Sequence, residues 1–446
     1  MNRIVFGSQA LSSLRSELLA TDRERAAFVF AQPVSLANQD WRLIVGDWEV
    51  VADADYSRQE VDALEVAATS IVGPLKRARE EGLSIIFAHT HPWDGRVLPS
   101  DADLYGEARL LPRVFQRTHG VPHARLILGR RDTHAALFHP SGPPAPTTVA
   151  EVGPIVRQAP LLAKASESVS HYARQVLAFG AASQERLGEM RVAIVGLGGT
   201  GSLVAQSLAY LGVRSFLFID PDTVEHTNLN RVVGASESDV GVHKVDVASR
   251  MVSRINSRSE VECLRGDIVS QGVSRRVLET DFFFSCTDTH GSRAVLTQLC
   301  YQFLVPGIDV GVRIDVDSDR ATRIVGRVQM LAPGLACTNC TGLLDAEAVR
   351  RELLTDDERR ADSYITGHGV EQPAVISINS TVVGLAVTMF LGATTEIKLQ
   401  ARHQIVLFDQ GIVRTISSDP DPSCVVCSRG GCLGRGDSWP APGRPS

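Results

Sequence analysis

Three glycines, Gly196, Gly198 and Gly201, spell G-x-G-x-x-G inside the run RVAIVGLGGTGSLVAQSLAYLG. Glycine lets a backbone turn tightly and approach phosphate oxygens. The start of the helix that follows adds free N–H groups and the positive end of its dipole. The spacing predicts phosphate binding at a strand-to-helix junction. Asp220 closes the next apolar run, SFLFID, where a carboxylate can accept hydrogen bonds from ribose hydroxyls. These residues alone suit a nicotinamide or flavin enzyme as well as an ATP enzyme, so an NAD-dependent oxidoreductase is one reading. Two further sets of residues carry different chemistry. His89-Thr-His91 follows an apolar run, and Cys337-Thr-Asn-Cys340 is matched by Cys424-Val-Val-Cys427.

The neighbours of the glycine loop separate the nucleotide readings. The loop carries a double glycine, Gly198-Gly199. Around it stand HYARQ with Arg174, IDPDTVEHTNLNR with Asn228 and Arg231, GVHK ending at Lys244, and SCTDTHGSR with Asp288 and Arg293. This order resembles the ThiF/MoeB family and the wider ubiquitin-activating enzymes, over about residues 166–430. The resemblance implies a Rossmann-like adenylation domain that uses ATP and Mg²⁺. It assigns Gly196, Gly198, Gly199 and Gly201 to the nucleotide and Asp220 to the ribose. Asn228, Arg231 and Lys244 fall to the phosphates, and Asp288 to Mg²⁺ and the reacting groups. Arg174 would reach the phosphates across a homodimer interface. The substrate so implied is the C-terminal carboxylate of a ubiquitin-like or sulfur-carrier β-grasp protein, or of a peptide. A conjugating enzyme or sulfur donor would be the downstream partner. The chemistry fits the residues. A carboxylate is ionised at neutral pH and needs no general base to attack a phosphate. It needs charge neutralisation and alignment, which arginines, a lysine and a metal-binding aspartate supply.

The paired C-x-x-C motifs have the spacing of two zinc knuckles and together offer a Cys₄ structural site. Cys432 is a spare, and Cys263 and Cys286 read as core. Many relatives in the resembling family carry a further cysteine for a thioester or persulfide. Here Ile365 and Thr366 stand at that place, and no cysteine lies between Cys340 and Cys424.

His89 and His91 with Asp103 could give three ligands to a catalytic zinc and leave one position open. Ser100 could stabilise an oxyanion, and a glutamate could serve as general base. These residues resemble a JAMM/MPN metallopeptidase, covering about residues 1–140. The family's glutamate falls on Glu24, in the run Glu24-Arg-Ala-Ala27-Phe-Val29-Phe-Ala31, with Glu17 as the other candidate. Eight residues separate His91 from Ser100, one more than the usual pattern. The resemblance implies cleavage of peptide or isopeptide bonds after a ubiquitin-like C-terminus. A metal-free module that only binds such a partner is the alternative.

The elements that must position these residues are α/β throughout. Strands are expected at Ala26–Phe30, Trp41–Gly46, Leu83–Ala88, Ala124–Gly129 and His134–Phe138, with one long amphipathic helix over residues 58–80. A Pro/Gly-rich stretch, His139–Thr148, divides the chain. The expected order is a JAMM/MPN-like α/β domain over 1–140, a linker over 141–165, the Rossmann-like domain over 166–430 and a disordered tail over 431–446. In the second domain a helical pattern over Ser166–Leu187 precedes a βαβ unit. Further strands follow at FFFSC, VPGIDVGV, RIVGRVQML and QIVLFD. With 446 residues, 44% hydrophobic and a net charge of −6, the chain gives no electrostatic case for nucleic acid. No uninterrupted apolar run of the length that spans a bilayer is present, and no leader pattern opens the chain. The expectation is a cytoplasmic protein.

Overall fold

A computed structural model of the chain describes residues 1–118, 120–140, 142–159, 170–317, 320–355, 358 and 373–445. Two compact units emerge, Met1–Lys164 with Gly434–Pro440, and Ala165–Leu433 with Ala441–Ser446.

The first unit contains β1 (Asn2–Gly7), β2 (Ala26–Ser35), β3 (Trp41–Val50), β4 (Tyr56–Gln59), β5 (Leu64–Val66), β6 (Ser84–Thr90), β7 (His123–Leu128), β8 (Thr133–Phe138), β9 (Ala145–Val152) and β10 (Val156–Ala159). Its main sheet runs β1-β3-β2-β6-β7-β8-β9-β10, and β1 also pairs in parallel with β9, so the sheet closes on itself. Both sides of β2 are buried. Ala27, Val29 and Ala31 join one apolar cluster, while Ala26, Phe28 and Phe30 join another beside Leu75 and Ala78. That is why AAFVF reads as an unbroken apolar run instead of an alternating one.

Three expectations for this part of the chain need correction. The helix covers only Val72–Glu81. Residues before it form the β4–β5 hairpin, whose turn is closed by Glu60 N–H donating to Ala63 C=O at 2.8 Å. Pro74 sits in the first turn of the helix, where its missing N–H costs nothing, and Gly82 ends it at φ 68°. Within the expected linker, residues 145–159 instead belong to the sheet as β9 and β10, pairing with β1 and with each other. The tail is also ordered over its described residues. Gly436 adopts φ 50°, and a Cβ there would come within 3.0 Å of Val34. Arg444, at the other end of the tail, belongs to the second unit and pairs with Asp267 at 2.8 Å.

The second unit carries β11 (Arg191–Val195), β12 (Ser215–Ile219), β13 (Glu260–Leu264), β14 (Phe282–Ser285), β15 (Gly307–Asp317), β16 (Arg320–Leu331), β17 (His403–Leu407) and β18 (Ile412–Thr415). They form one sheet in the order β13-β12-β11-β14-β15-β16-β17-β18. The first five strands are parallel and the last three antiparallel. The chain leaves β11 toward β12 and later returns on its other side as β14. That change of direction opens a crevice at the strands' carboxyl ends. Helix Gly199–Leu211 follows β11 and ends at Gly212, φ 93°. The expected helical pattern before β11 is two helices, Ala173–Phe179 and Ala181–Glu189, broken at Gly180, φ 84°; Ser166 lies outside the described residues. So do Ile365 and Thr366, the place of the expected transfer cysteine.

Helix Ile376–Thr394 is 19 residues long with a mean hydropathy of 1.7, enough by composition alone to cross a membrane. Its apolar character has a nearer cause. It packs on the glycine-loop helix and on β15 and β16, and Phe390 meets the Phe282 ring at 4.9 Å between centroids.

Candidate functional site

The glycine loop is shaped by contacts that only glycine permits. Gly196 has φ 87°, and a Cβ there would lie 2.7 Å from the Cys286 carbonyl oxygen. A Cβ on Gly201 would lie 1.8 Å from the Gly196 carbonyl oxygen, so the helix start is pressed directly on the end of β11. At Gly199 the obstacle is the Asn379 side-chain nitrogen, 2.5 Å from where a Cβ would stand. Gly198 differs. A Cβ there would meet nothing within 4 Å, yet the residue lines the cleft. Nothing in the protein itself requires glycine at this position, whereas a ligand lying against the loop would.

The cleft measures about 900 Å³ and is lined by Gly196, Gly198, Gly199, Asp220, Asp222, Arg231, Lys244, Asp288, Arg293, Arg351 and Asn379, among others. Asp220, 4% exposed, accepts the Leu197 N–H at 2.6 Å and the Asp222 N–H at 2.8 Å. Its carboxylate therefore fixes the loop while its remaining lone pairs stay available to a ribose. Burial raises its pKa, opposed by the charge of Lys244 and those two N–H groups. Lys244 begins helix Lys244–Ile255 and donates to Asp222 at 2.7 Å. Arg231 is half-buried, and one of its guanidinium nitrogens is held by the Thr227 carbonyl at 2.5 Å. Asp288 is exposed and stands just before helix His290–Phe303. Thr289, not Asp288, caps that helix, accepting the Ser292 N–H at 3.3 Å. Asp288 is thus not consumed by a structural role.

Two of the expected phosphate contacts lie elsewhere. Asn228 is buried and closes a capping box, accepting the Glu225 N–H at 3.2 Å. It is not part of the cleft lining, and its contribution is to hold the turn that carries Arg231. Arg174, on helix Ala173–Phe179, is exposed and likewise does not line the cleft of its own chain. Cys286 does line it, but burial, followed by the charge of Asp309, pushes its thiol up to about 12, far from a nucleophile's range. Asp309, 1% exposed, is held under the cleft by Arg327, by Arg293 at 3.2 Å and by the Ser285 hydroxyl at 3.0 Å. Sequence reading missed this carboxylate and Asp222. Asp309 was visible as an acid inside the apolar run VPGIDVGV, and Asp222 as the second acid of Asp220-Pro-Asp222.

The four cysteines converge. Cys337 Sγ lies 3.6 Å from Cys340 Sγ and 3.7 Å from Cys424 Sγ, and Cys340 Sγ lies 3.4 Å from Cys427 Sγ. Thiolates at about 2.3 Å around one tetrahedral zinc would sit roughly 3.8 Å apart, so the donor set fits that ion. Backbone N–H groups of Cys340, Asp421 and Val426 point at the sulfurs at 3.4–3.5 Å, which favours the thiolate form. The hydrogen bond from Cys337, opposed by burial, holds the Cys427 thiol down to about 5, the same bond raises the Cys337 thiol, and burial raises that of Cys340. Cys432 stays outside the cluster. Burial pushes its thiol up to about 12, and it contacts the Val426 carbonyl at 3.1 Å.

In the first unit, β6 delivers His89 and the residue after it delivers His91. His89 Nε2 lies 3.2 Å from Asp103 Oδ1, and His91 Nε2 lies 3.5 Å from Asp103 Oδ2. Two ligands about 2.0–2.1 Å from one zinc can span these separations. The Glu24 carboxylate is 3.7 Å from His91 Nε2 and 4% exposed. Burial first, then the charges of Asp103 and Asp62, push its pKa up to about 8. Burial alone would raise Asp103, but hydrogen bonds from the two histidines outweigh it and hold the group well below the carboxylate range. Ser100 is exposed and donates to Asp103 at 2.8 Å, starting helix Asp101–Thr118. Its hydroxyl orients the aspartate. Glu17 is engaged by the Trp48 indole at 3.0 Å, which leaves Glu24 as the glutamate of the cluster. The indole of Trp93 stacks on His91 at 4.4 Å.

A parallel sheet with its crevice at a reversal of strand order, floored by a glycine loop, defines the Rossmann-type nucleotide-binding class. Within that class the chain belongs to the ThiF family, whose profile matches residues 172–426. It is 28% identical to the molybdopterin-synthase adenylyltransferase of Escherichia coli (strain K12) over 269 residues, 59% of this chain and 98% of that protein. It is 31% identical to ubiquitin-like modifier-activating enzyme 5 of Oryza sativa subsp. japonica over 201 residues, 42% of this chain and 46% of that protein. A crystal structure of E. coli MccB with MccA aligns at 24% identity and a TM-score of 0.47, over 59% of this chain and 75% of that one. The chain spans about half the length of the ubiquitin-like modifier-activating enzyme 5 relatives it matches.

Two outcomes follow. Gly201→Ala should destabilise the protein by about 1–3 kcal/mol, read as a lower urea midpoint, while Gly198→Ala should keep the midpoint and weaken ATP binding. Equal midpoints for the two would contradict the contacts described. Metal analysis should find that Cys427→Ser loses one zinc per chain with a lower thermal midpoint. His91→Ala should lose a different zinc with little change in midpoint. Zinc content equal to wild type in both variants would refute the two sites.

Proposed function

We propose that the chain activates a carboxylate by adenylation. One carboxylate oxygen attacks the α-phosphorus of ATP, the bond to the bridging oxygen breaks, and acyl-AMP and pyrophosphate leave. The observation that carries this reading is the cleft itself, where Gly198 stands open beside Arg231, Lys244 and Asp288. Arg231 and Lys244 would neutralise the phosphates. Asp288 would hold Mg²⁺, which supplies charge neutralisation at the transferring phosphorus when bound. Arg174 would serve the cleft of a second copy in a homodimer. An NAD-dependent oxidoreductase would need none of these four residues.

By likeness to its relatives, the substrate is the C-terminal carboxylate of a ubiquitin-like or sulfur-carrier β-grasp protein, or of a peptide. Cys286 is unsuited to attack the product, so we assign capture of the acyl-adenylate to an external nucleophile, such as a conjugating enzyme or a sulfur donor. The thiol-rich zinc site supports a cytoplasmic setting.

For the first unit we propose zinc-dependent cleavage of a peptide or isopeptide bond after such a C-terminus. His89, His91 and Asp103 would hold the ion, which supplies Lewis acidity toward a carbonyl and acidifies water. Glu24, beside the two histidines, would take the proton in its carboxylate form and pass it to the leaving amine. Ser100 keeps Asp103 in place and would face the oxyanion.

ATP–pyrophosphate exchange tests the first proposal. Exchange should depend on an added ubiquitin-like protein ending in Gly-Gly, and Asp288→Ala should reduce it by about 100-fold. Exchange unaffected by Asp288→Ala would exclude the assigned role. The peptidase proposal is checked with that protein extended at its C-terminus. Processing should fall by about 100-fold or more in Glu24→Gln. No processing by the zinc-loaded wild type would leave the first unit as a binding module.

A further inference from the structure

The double glycine of the loop has a counterpart far away in sequence. Asn379 lies in the first turn of helix Ile376–Thr394, and its side-chain nitrogen occupies the space a Cβ on Gly199 would need, at 2.5 Å. The residue is 3% exposed and belongs to the cleft lining. Asn379 has no side-chain hydrogen bond among the described residues. Its backbone alone is engaged, donating to Val375 at 3.1 Å. The same place gathers a second demand. Helix Gly199–Leu211 starts there, and its Gly198 N-cap offers no side-chain cap. The N–H groups of that first turn get no side-chain partner from their own segment and suit an anion.

We propose that Asn379 is a nucleotide-binding residue, donating its side-chain N–H to a phosphate oxygen of the triphosphate seated on the glycine loop. This rests on the adenylation reading above. The proposal explains two features together. Gly199 is glycine because the carboxamide must come over the loop to reach the ligand. The carboxamide lacks a protein partner because its partner is the phosphate. A neutral donor suits the position. It adds a directed hydrogen bond to the set made by Arg231 and Lys244 without another charge beside them.

The test uses the full chain, with ATP and adenosine as probes in calorimetric titrations. Asn379→Asp keeps the shape and turns the donor into an anion, and Asn379→Ala removes it. ATP affinity should fall by about 10- to 100-fold in Asn379→Ala and further in Asn379→Asp, while adenosine, which has no phosphate, binds as in wild type. Thermal midpoints of both variants show whether each is folded. Where Ala alone misfolds, the Asp variant decides. Unchanged ATP affinity in a folded variant, or equal losses for ATP and adenosine, would overturn the proposal and leave Asn379 a packing residue. A wild-type chain that binds adenosine but gains nothing from the triphosphate would overturn the adenylation reading itself, and this inference with it.

Discussion

The second unit depends on one close approach. The start of helix Gly199–Leu211 lies so near the end of β11 that the Gly196 carbonyl oxygen occupies the space of a Cβ at Gly201. Everything else in the cleft is arranged around that contact. Asp220 pins the loop from β12 through the Leu197 N–H, Cys286 roofs Gly196 from β14, and helix Ile376–Thr394 lies along the loop's own helix. Because these elements come from four separate stretches of chain, the loop's shape is overdetermined. A preformed site of this kind spends little binding energy on ordering itself, leaving more for alignment of the reacting groups.

Charge is divided between structure and chemistry. Asp309 is fully buried and shared by Arg293, Arg327 and Ser285, so those groups stabilise the floor. Removing one partner of such a buried set costs about 3–5 kcal/mol. Asp288 stays exposed and Arg231 half-buried in the cleft above it. The Cys₄ cluster acts at a greater distance, joining the segment after β16 to the one after β18. A metal there would tie two loops together at the far side of the same sheet, a role of stability and not of catalysis.

Sequence legibility followed the range of the interactions. The glycine loop, Asp220, Lys244, Asp288, the histidine pair and the cysteine pairs are local patterns, and the fold brings the last two sets together as the spacing suggests. β4, β5 and β10 were hidden because short strands owe their state to pairing partners elsewhere in the chain, which periodicity does not register. The Pro/Gly-rich stretch His139–Thr148 does not end a domain, since β9 begins inside it at Ala145. The tail's order depends on Gly436 and Arg444 meeting distant surfaces. Asn379 left no local signal at all. Its meaning lies in a contact with Gly199, nearly two hundred residues away, and only the three-dimensional structure joins the two.

The central claim is that the cleft couples a carboxylate to AMP. The most direct measurement starts from a ubiquitin-like protein whose C-terminal carboxylate carries heavy oxygen. It is incubated with the chain, ATP and Mg²⁺, the product is captured by hydroxylamine, and AMP is analysed by mass. Acyl-adenylate formation predicts AMP heavier by one labelled oxygen, because the bridging oxygen comes from the carboxylate and leaves with the phosphorus. Label in inorganic phosphate with release of ADP, or hydroxamate formed with unlabelled AMP, would contradict it.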